Sequence, residues 1–592
     1  MNTPNSFWLV LVVTTIGVMP AFSARAGNAS QPLGDPVLET PTLQCLGAYW
    51  IIRGDDNQNA RVECSYRAAG DTAWQRGSDL FRVEQGVKLE RGQSLVEVPV
   101  GAWLFAGSVV LLESDTEYEL RLTLLDPDGG GAEKQFKTRT LAEPTTPKDA
   151  RVLHVVPGVG NGIGTTANPF HGLVSAQAQA RAGDLFLLHG GTYSGTFLVN
   201  KSGAPGRPIV WRGAGDGEVI IDAQGQAAEP PQRAVSASDI HDVWFERLTI
   251  TRALWGLVAH DSQRVVVRRC HFHHVRRGLT ATRNSDGHLG GLFIADNLLE
   301  GPYQWSDRPH GASVEEDRGI EFSGSGNVVC YNRVRGFKDG IDAHPGPCCV
   351  ASDIHNNEVS ECLDDGCEMD GSERNMRCFR NRFVNIFQGI SVQPVYGGPV
   401  YVFRNALYNM EAEVFKMHNS PSGALFLHNT CVKQGPPVVL WTNARVRHCI
   451  TRNNLFIGTG GPFAFESTAP MVECDFDFDG FGGGPWPNFL KWNGLRFKTV
   501  EEARDKAPVY HHALALDATT LFASGLRPPE ETKRQFDPIS IDLRLKPDSA
   551  AAKAGVPLPG FGASSPGQLP ALGAYEIGSP VPHYGPRPED GS

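Results

Sequence analysis

Four short segments carry acid, base and amide side chains at matching places: Asp339-Gly-Ile-Asp-Ala-His344, Asp365-Gly-Cys-Glu-Met-Asp370, Gln388-Gly-Ile-Ser-Val-Gln393 and Glu413-Val-Phe-Lys-Met-His418. Such a set suits three chemistries. β-Elimination on a uronic-acid polymer needs a base at C5, a charge that neutralises the carboxylate and an acid at the leaving oxygen; Lys416 or His344 would be the base and His418 a second proton carrier. Glycoside hydrolysis needs two carboxylates ~5–10 Å apart, which Glu368 would supply with Asp342 or Asp370. C5 epimerisation shares proton abstraction with elimination. Asp342, Asp364, Asp365 and Asp370 would also ligate Ca²⁺, a hard cation that takes carboxylate oxygens.

These residues need a scaffold that presents them side by side. Asn332, Asn357, Asn381, Asn405, Asn429 and Asn453 follow one another at a spacing of 25 and then, four times, of 24, the mark of a repeat in which each unit buries its apolar face on the next. The unit is too short for a helix pair, and its Val, Ile, Phe and Gly alternate with polar residues as in strands. A parallel β-helix follows, each coil stacked on the last at roughly 4.8 Å. Residues i and i+2 share a face, so Asp342 and His344 point outward while Ile341 and Ala343 point in. The same register aligns Glu321 with Ser323, Glu368 with Asp370, Ser391 with Gln393 and Lys416 with His418, giving two polar columns down one outer face. The asparagines read as an amide ladder and are assigned no catalysis.

Composition bounds the rest. The 592 residues, 41% hydrophobic, exceed one ordinary domain, and a net charge of −11 leaves no basic footprint for nucleic acid. An apolar run from Phe7 to Phe22 followed by Ala24-Arg-Ala26 reads as a signal peptide over 1–26, too short to span a bilayer, and predicts a secreted, periplasmic or cell-surface protein. In such a compartment Cys45–Cys64, Cys348–Cys349 or Cys362–Cys367 are possible disulfides, whereas Cys270, Cys330, Cys378, Cys431 and Cys449 read as buried apolar residues.

In chain order, alternating strands over 35–145, among them Val96–Val100, predict a small β-sandwich. Its segment Leu112-Glu-Ser-Asp-Thr-Glu-Tyr118-Glu-Leu-Arg-Leu122 resembles the tyrosine-corner strand of fibronectin type III modules. After a Pro/Thr linker come a helical stretch at Leu173–Ala182, then Gly183-Asp-Leu-Phe-Leu-Leu188 and Gly191-Thr-Tyr-Ser-Gly195. This order resembles the entry into secreted right-handed parallel β-helix proteins of the pectate-lyase-like superfamily, in which a helix caps the first coil. Asp339 to Pro345 is similar to the Asp-Pro-His-Asp segment of β-helix mannuronan epimerases at Asp342 and His344, and differs at Ala343 and Pro345. The resemblance implies lyase, epimerase or hydrolase activity on polysaccharide.

The fold class expected is thus all-β: a right-handed single-stranded parallel β-helix over 150–460, preceded by the sandwich and followed by a segment, 461–592, that packs along the coils. A loop at Gly301–Arg318 interrupts the repeat just before Glu321, and its Tyr303, Trp305 and Arg308 are candidate substrate contacts beside Gln393. The function expected is cleavage of an acidic polysaccharide by elimination, with hydrolysis, epimerisation and non-catalytic glycan binding as alternatives.

Overall fold

The computed structural model describes residues 27–84, 86, 96–225, 232–282, 290–307, 309–311, 315–343, 349–562 and 568–589; the leader, Arg308, His344 and Cys348 lie outside them. Strand Glu117–Leu125 shows why the start of the chain forms a sandwich: its strict alternation buries Tyr118, Leu120, Leu122 and Leu124 on one face. It lies in a sheet with Arg61–Ala68, Gln75–Arg76 and Gly131–Arg139, opposite a sheet built on Leu46–Arg53 and Ala102–Val109. The Tyr118 hydroxyl accepts a hydrogen bond from the Glu113 backbone N–H at 3.0 Å, pinning the corner before its strand. The strand expected at Val96–Val100 forms instead at Ala102–Val109, after Gly101 turns the chain at φ 75°, and Val100 stands fully exposed.

From Arg151 onward the chain winds into a parallel β-solenoid of about eleven turns with very little helix. Two long parallel sheets of 16 and 18 strands form its sides. Helix Leu173–Gln179 closes the first end, burying Leu173 and Ala176 over a core where Phe186 stacks on Trp211 at 4.1 Å. The cap removes what would otherwise be an open edge. Parallel stacking does not stop at 460; it continues through Gly480–Gly482 to Leu514–Leu516. The tail beyond then packs on the outer face, where Leu543, Tyr575 and Tyr584 join Val384, Tyr408 and Val432. No helix among the described residues is long and apolar enough to cross a membrane.

The asparagine ladder is present and longer than the repeat suggested. Each Nδ2 donates to the next Oδ1 from Asn297 through Asn332, Asn357, Asn381, Asn405 and Asn429 at 2.8–3.0 Å. The next rung is Asn454, not the expected Asn453, and the ladder ends on Asp479. Asn453 occupies the left-handed position that precedes every rung, as Asn356, Arg380, Arg404 and His428 do, and its side chain turns out to the Val556 carbonyl. The rung after Asn429 is 25 positions on, whereas the one before it took 24, so a fixed count lands one place early.

The sandwich is docked on the coils by buried polar contacts. Arg377 and Asp353, both fully buried, pair at 2.5 Å; Arg377 also donates to Ser108, and Asp353 accepts from Thr42. Asn375 donates to Glu39 at 2.6 Å. Every described cysteine is a free thiol, so neither Cys45–Cys64 nor Cys362–Cys367 is bridged.

Candidate active site

One local motif recurs on seven successive coils. It reads Trp255-Gly-Leu-Val258, Arg277-Gly-Leu-Thr280, Arg318-Gly-Ile-Glu321, Asp339-Gly-Ile-Asp342, Asp365-Gly-Cys-Glu368, Gln388-Gly-Ile-Ser391 and Glu413-Val-Phe-Lys416. Strand pairing puts these residues in register, with Glu321, Asp342, Glu368, Ser391 and Lys416 as consecutive partners. The glycine faces the core: a Cβ on Gly340 would lie 2.5 Å from the Val359 side chain and 2.6 Å from the Gly366 carbonyl. The following Ile341 is also buried in the core. Two inward positions in a row break the period of two, so the residue before the glycine faces outward as well as the one three places later. That is why Asp339 and Asp365, which simple alternation turns inward with Ile341 and Cys367, join Asp342 and Glu368 on the outer face.

Six carboxylates converge there: Asp339, Asp342, Asp364, Asp365, Glu368 and Asp370, facing Arg318, Lys338 and Lys416. Oxygens of Asp339, Asp365 and Glu368 lie within 4.8 Å of one another. Each of these three residues also carries a buried oxygen with no hydrogen-bond partner among the described residues. Arg318 holds Asp342 at 2.5 Å, and Lys416 Nζ lies 2.7 Å from Asp365. Lys338 pairs with Glu316 at 2.7 Å and reaches Asp364 at 3.7 Å. Burial first, then the neighbouring Glu368 charge, pushes Asp339 and Asp342 well above the usual carboxylate range. Burial likewise raises Asp365, against the pull of Lys416. Asp370 is pushed up to about 8 by burial and Glu368. Crowded acids cannot all ionise, so the cluster keeps protons near neutral pH.

Glu368, Asp342, Asp364, Asp365 and Asp370 meet in the cluster, and Asp339 is the member that alternation missed. Lys416 borders it as a cation: burial would lower its pKa, but the Asp365 and Asp364 carboxylates more than offset this and raise it, so it holds its proton rather than acting as a free base. His418 lies at ion-pair distance, 3.0 Å, from Glu413. Gln393 donates its backbone N–H to Asp370 at 2.6 Å, and its Oε1 has no hydrogen-bond partner among the described residues. The inserted loop runs beside the cluster, with the Gly311 N–H bonded to the Leu363 carbonyl and His310 to Glu411. Tyr303 donates to Asp317 at 3.0 Å. Trp305 corrects its expected role: it is fully buried and donates to the Thr532 carbonyl, so it anchors the loop to the tail and offers no ring face to a ligand.

The raised carboxyls give stability a definite pH dependence. A group whose folded pKa lies above its unfolded value leaves stability fully present below the unfolded pKa, about 4, and removes it as pH rises through the folded pKa. Asp370, at about 8, and the ladder terminus Asp479, pushed by burial up to about 7, set the window. Melting temperature is expected to fall between pH 5 and pH 8, roughly the span these shifts cover, and Asp370→Asn to flatten the decline. A profile that rises with pH over this range would contradict the raised values.

No protein-family model matches the sequence. One curated relative, the protein named "Uncharacterized protein YwoF" from Bacillus subtilis (strain 168), is 35% identical over 100 residues. That match spans 17% of this chain and 21% of the relative's own length. Among solved structures, a complex of XylC with xylose aligns with a TM-score of 0.43 at 11% identity, over 72% of this chain and 98% of that one. An alginate lyase from Paenibacillus sp. str. FPU-7 aligns at 0.31 and 14% identity, over 58% and 99%. A Yersinia enterocolitica family 28 exopolygalacturonase aligns at 0.25 and 11% identity, over 82% and 99%.

Proposed function

We propose that this protein is a carbohydrate-active enzyme that cleaves a polysaccharide by glycoside hydrolysis at the carboxylate cluster. The observation that carries this reading is the gathering of Asp339, Asp342, Asp365, Glu368 and Asp370 on one face, where burial raises the pKa of the aspartates. Hydrolysis needs one protonated carboxyl to give its proton to the glycosidic oxygen and one carboxylate to activate water or attack the anomeric carbon. Glu368 is less buried than Asp339 and Asp365 and takes the position facing substrate, and Asp339 holds the proton. Elimination instead needs an unprotonated base; Lys416 is held as a cation by Asp365, and His344, the other candidate base, lies outside the described residues.

A second reading has its own support, the three unpartnered oxygens. Ca²⁺ bonds to oxygen at 2.3–2.6 Å, so oxygens up to about 5 Å apart can share one ion, and Asp339, Asp365 and Glu368 would hold it. Bound there, the cation would neutralise a substrate carboxylate.

The test is incubation with uronic-acid and neutral polysaccharides, with and without a chelator, following reducing ends alongside absorbance near 235 nm, the signature of the unsaturated product. New reducing ends without absorbance, insensitive to chelation, are the expected result. Absorbance with new ends would replace hydrolysis by elimination, and loss on chelation would bring in the cation. Binding without either product would leave only a glycan-binding role.

A further inference from the structure

The column that contains Asp339 and Asp365 changes sign along the solenoid. On the coils toward the helix-capped end its members are Arg233, Trp255 and Arg277, paired in register, followed by Arg318 and then the acids. The Arg277 guanidinium lies 5.0 Å from the Trp255 ring centre and that of Arg233 lies 5.7 Å from it. All three side chains are half-buried and face outward, because the small Ala234, Gly256 and Gly278 take the inward place beside them. His260 stands edge-on to Trp255 at 6.1 Å and accepts or donates at Thr282, 2.9 Å away. Burial and the Arg233 charge lower its pKa, so it adds no cation to the group.

The pairing of these cations differs from that of the cluster cations. Arg318, Lys338 and Lys416 each sit within 2.7 Å of a carboxylate. Among the described residues Arg277 reaches a carboxylate at 3.3 Å, at Glu321. Arg233 has no carboxylate at ion-pair distance among the described residues; its charge rests against the Trp255 ring and solvent. A half-buried guanidinium without a counter-ion among the described residues has given up hydration that none of them replaces. Its planar fork matches a carboxylate or sulfate, and a half-open indole beside it offers the flat apolar surface on which a sugar ring packs. Glu321 then links Arg277 to Asp342 and the cluster. From Arg277 to Asp339 is two coil steps, roughly 10 Å at the strand spacing.

We infer that Arg233, Trp255 and Arg277 form a subsite for an anionic sugar unit, which makes the substrate a polysaccharide bearing carboxylate or sulfate groups, laid along the solenoid from this platform to the carboxylate cluster. The inference rests on the proposed function for its direction, since the cluster marks where the chain would be cut. It also resolves a conflict of charge: a protein of net charge −11 repels a polyanion unless it is met by a local cationic surface.

The experiment measures binding in the Glu368→Gln background, so cleavage does not enter. The probes are polygalacturonate, a sulfated dextran and unmodified dextran, with Arg233→Gln, Arg277→Gln and Trp255→Ala introduced singly, and circular dichroism and melting temperature recorded for each. At least one polyanion is expected to bind, more weakly as salt rises, and each arginine variant to weaken it by roughly 10- to 100-fold. Arg277→Lys is expected to recover part of the loss, which a merely structural arginine would not give in a folded variant. Preference for polygalacturonate identifies the anion as a uronate carboxylate, and preference for the sulfated dextran as a sulfate ester. Unchanged binding in both folded arginine variants, or binding of unmodified dextran alone, overturns the subsite even if hydrolysis stands. Loss of binding in these variants, in a protein whose unsubstituted form cleaves nothing, would uphold the subsite and remove the hydrolysis.

Discussion

Glu368→Gln and Asp365→Asn are expected to lower kcat by about 10²–10⁴-fold, the usual contribution of a positioned acid or base, while leaving the fold intact. The expectation follows from crowding. The Glu368 charge helps to raise Asp339, Asp342, Asp364, Asp365 and Asp370, so neutralising it relieves repulsion at five sites. Melting temperature of Glu368→Gln at pH 7 should therefore hold or rise as activity disappears. Activity lost together with stability would point to a structural role instead. Wild-type kcat in both variants, measured as reducing ends on the best substrate, would remove the cluster from the chemistry. Asp365→Asn carries a further signature, because Lys416 then loses the carboxylate 2.7 Å away. Its pKa should fall and the alkaline limb of the rate profile should shift downward.

Asn381→Ala should cost more stability than any surface change. The Asn381 side chain donates to the Ile354 carbonyl at 2.9 Å and to Asn405 at 3.0 Å, and accepts from the Asn357 backbone N–H and side chain. All of these groups are fully buried. Deleting the amide orphans two or three of them at about 1–3 kcal/mol each, so a loss of at least about 3 kcal/mol is expected in denaturant unfolding, with the cavity adding to it. Asn453→Ala is the control. Although its spacing fits the ladder, it bonds only to the tail and to His428, and a smaller loss is expected. Equal losses from the two variants would show that the ladder is not what holds the coils.

The solenoid was legible because its evidence is local and repeated. A near-constant period, strand-type alternation and one asparagine per coil each point to stacked parallel strands, and they agree. The column Glu321, Asp342, Glu368, Ser391 and Lys416 was legible for the same reason, since in-register stacking carries one outward position to the next. Three things were not. Asn454 displaced Asn453 because coils of two lengths coexist, and only the hydrogen bonds say which residue is the rung. Trp305 looked like a sugar platform because an aromatic in an inserted loop has no sequence mark of burial; the tail that covers it joins far later in the chain, at Thr532. Asp339 is the third: alternation assigns it to the core, and only the folded chain shows it outward beside Asp365.

That last case separates the two sources of information. By itself the sequence determined an all-β parallel coil, a sandwich before it, and one face rich in acids, because these follow from residue type and spacing along a chain. Only the tertiary structure decided that the acids form one cluster and that cationic residues precede it. The deciding element is a glycine with an ordinary backbone conformation, stacked at Gly256, Gly278, Gly319, Gly340, Gly366 and Gly389. A missing Cβ lets each strand press against the carbonyl of the next coil, so two inward residues occur in succession and a second outward column opens. The need for that missing atom exists only when a neighbouring coil is in place.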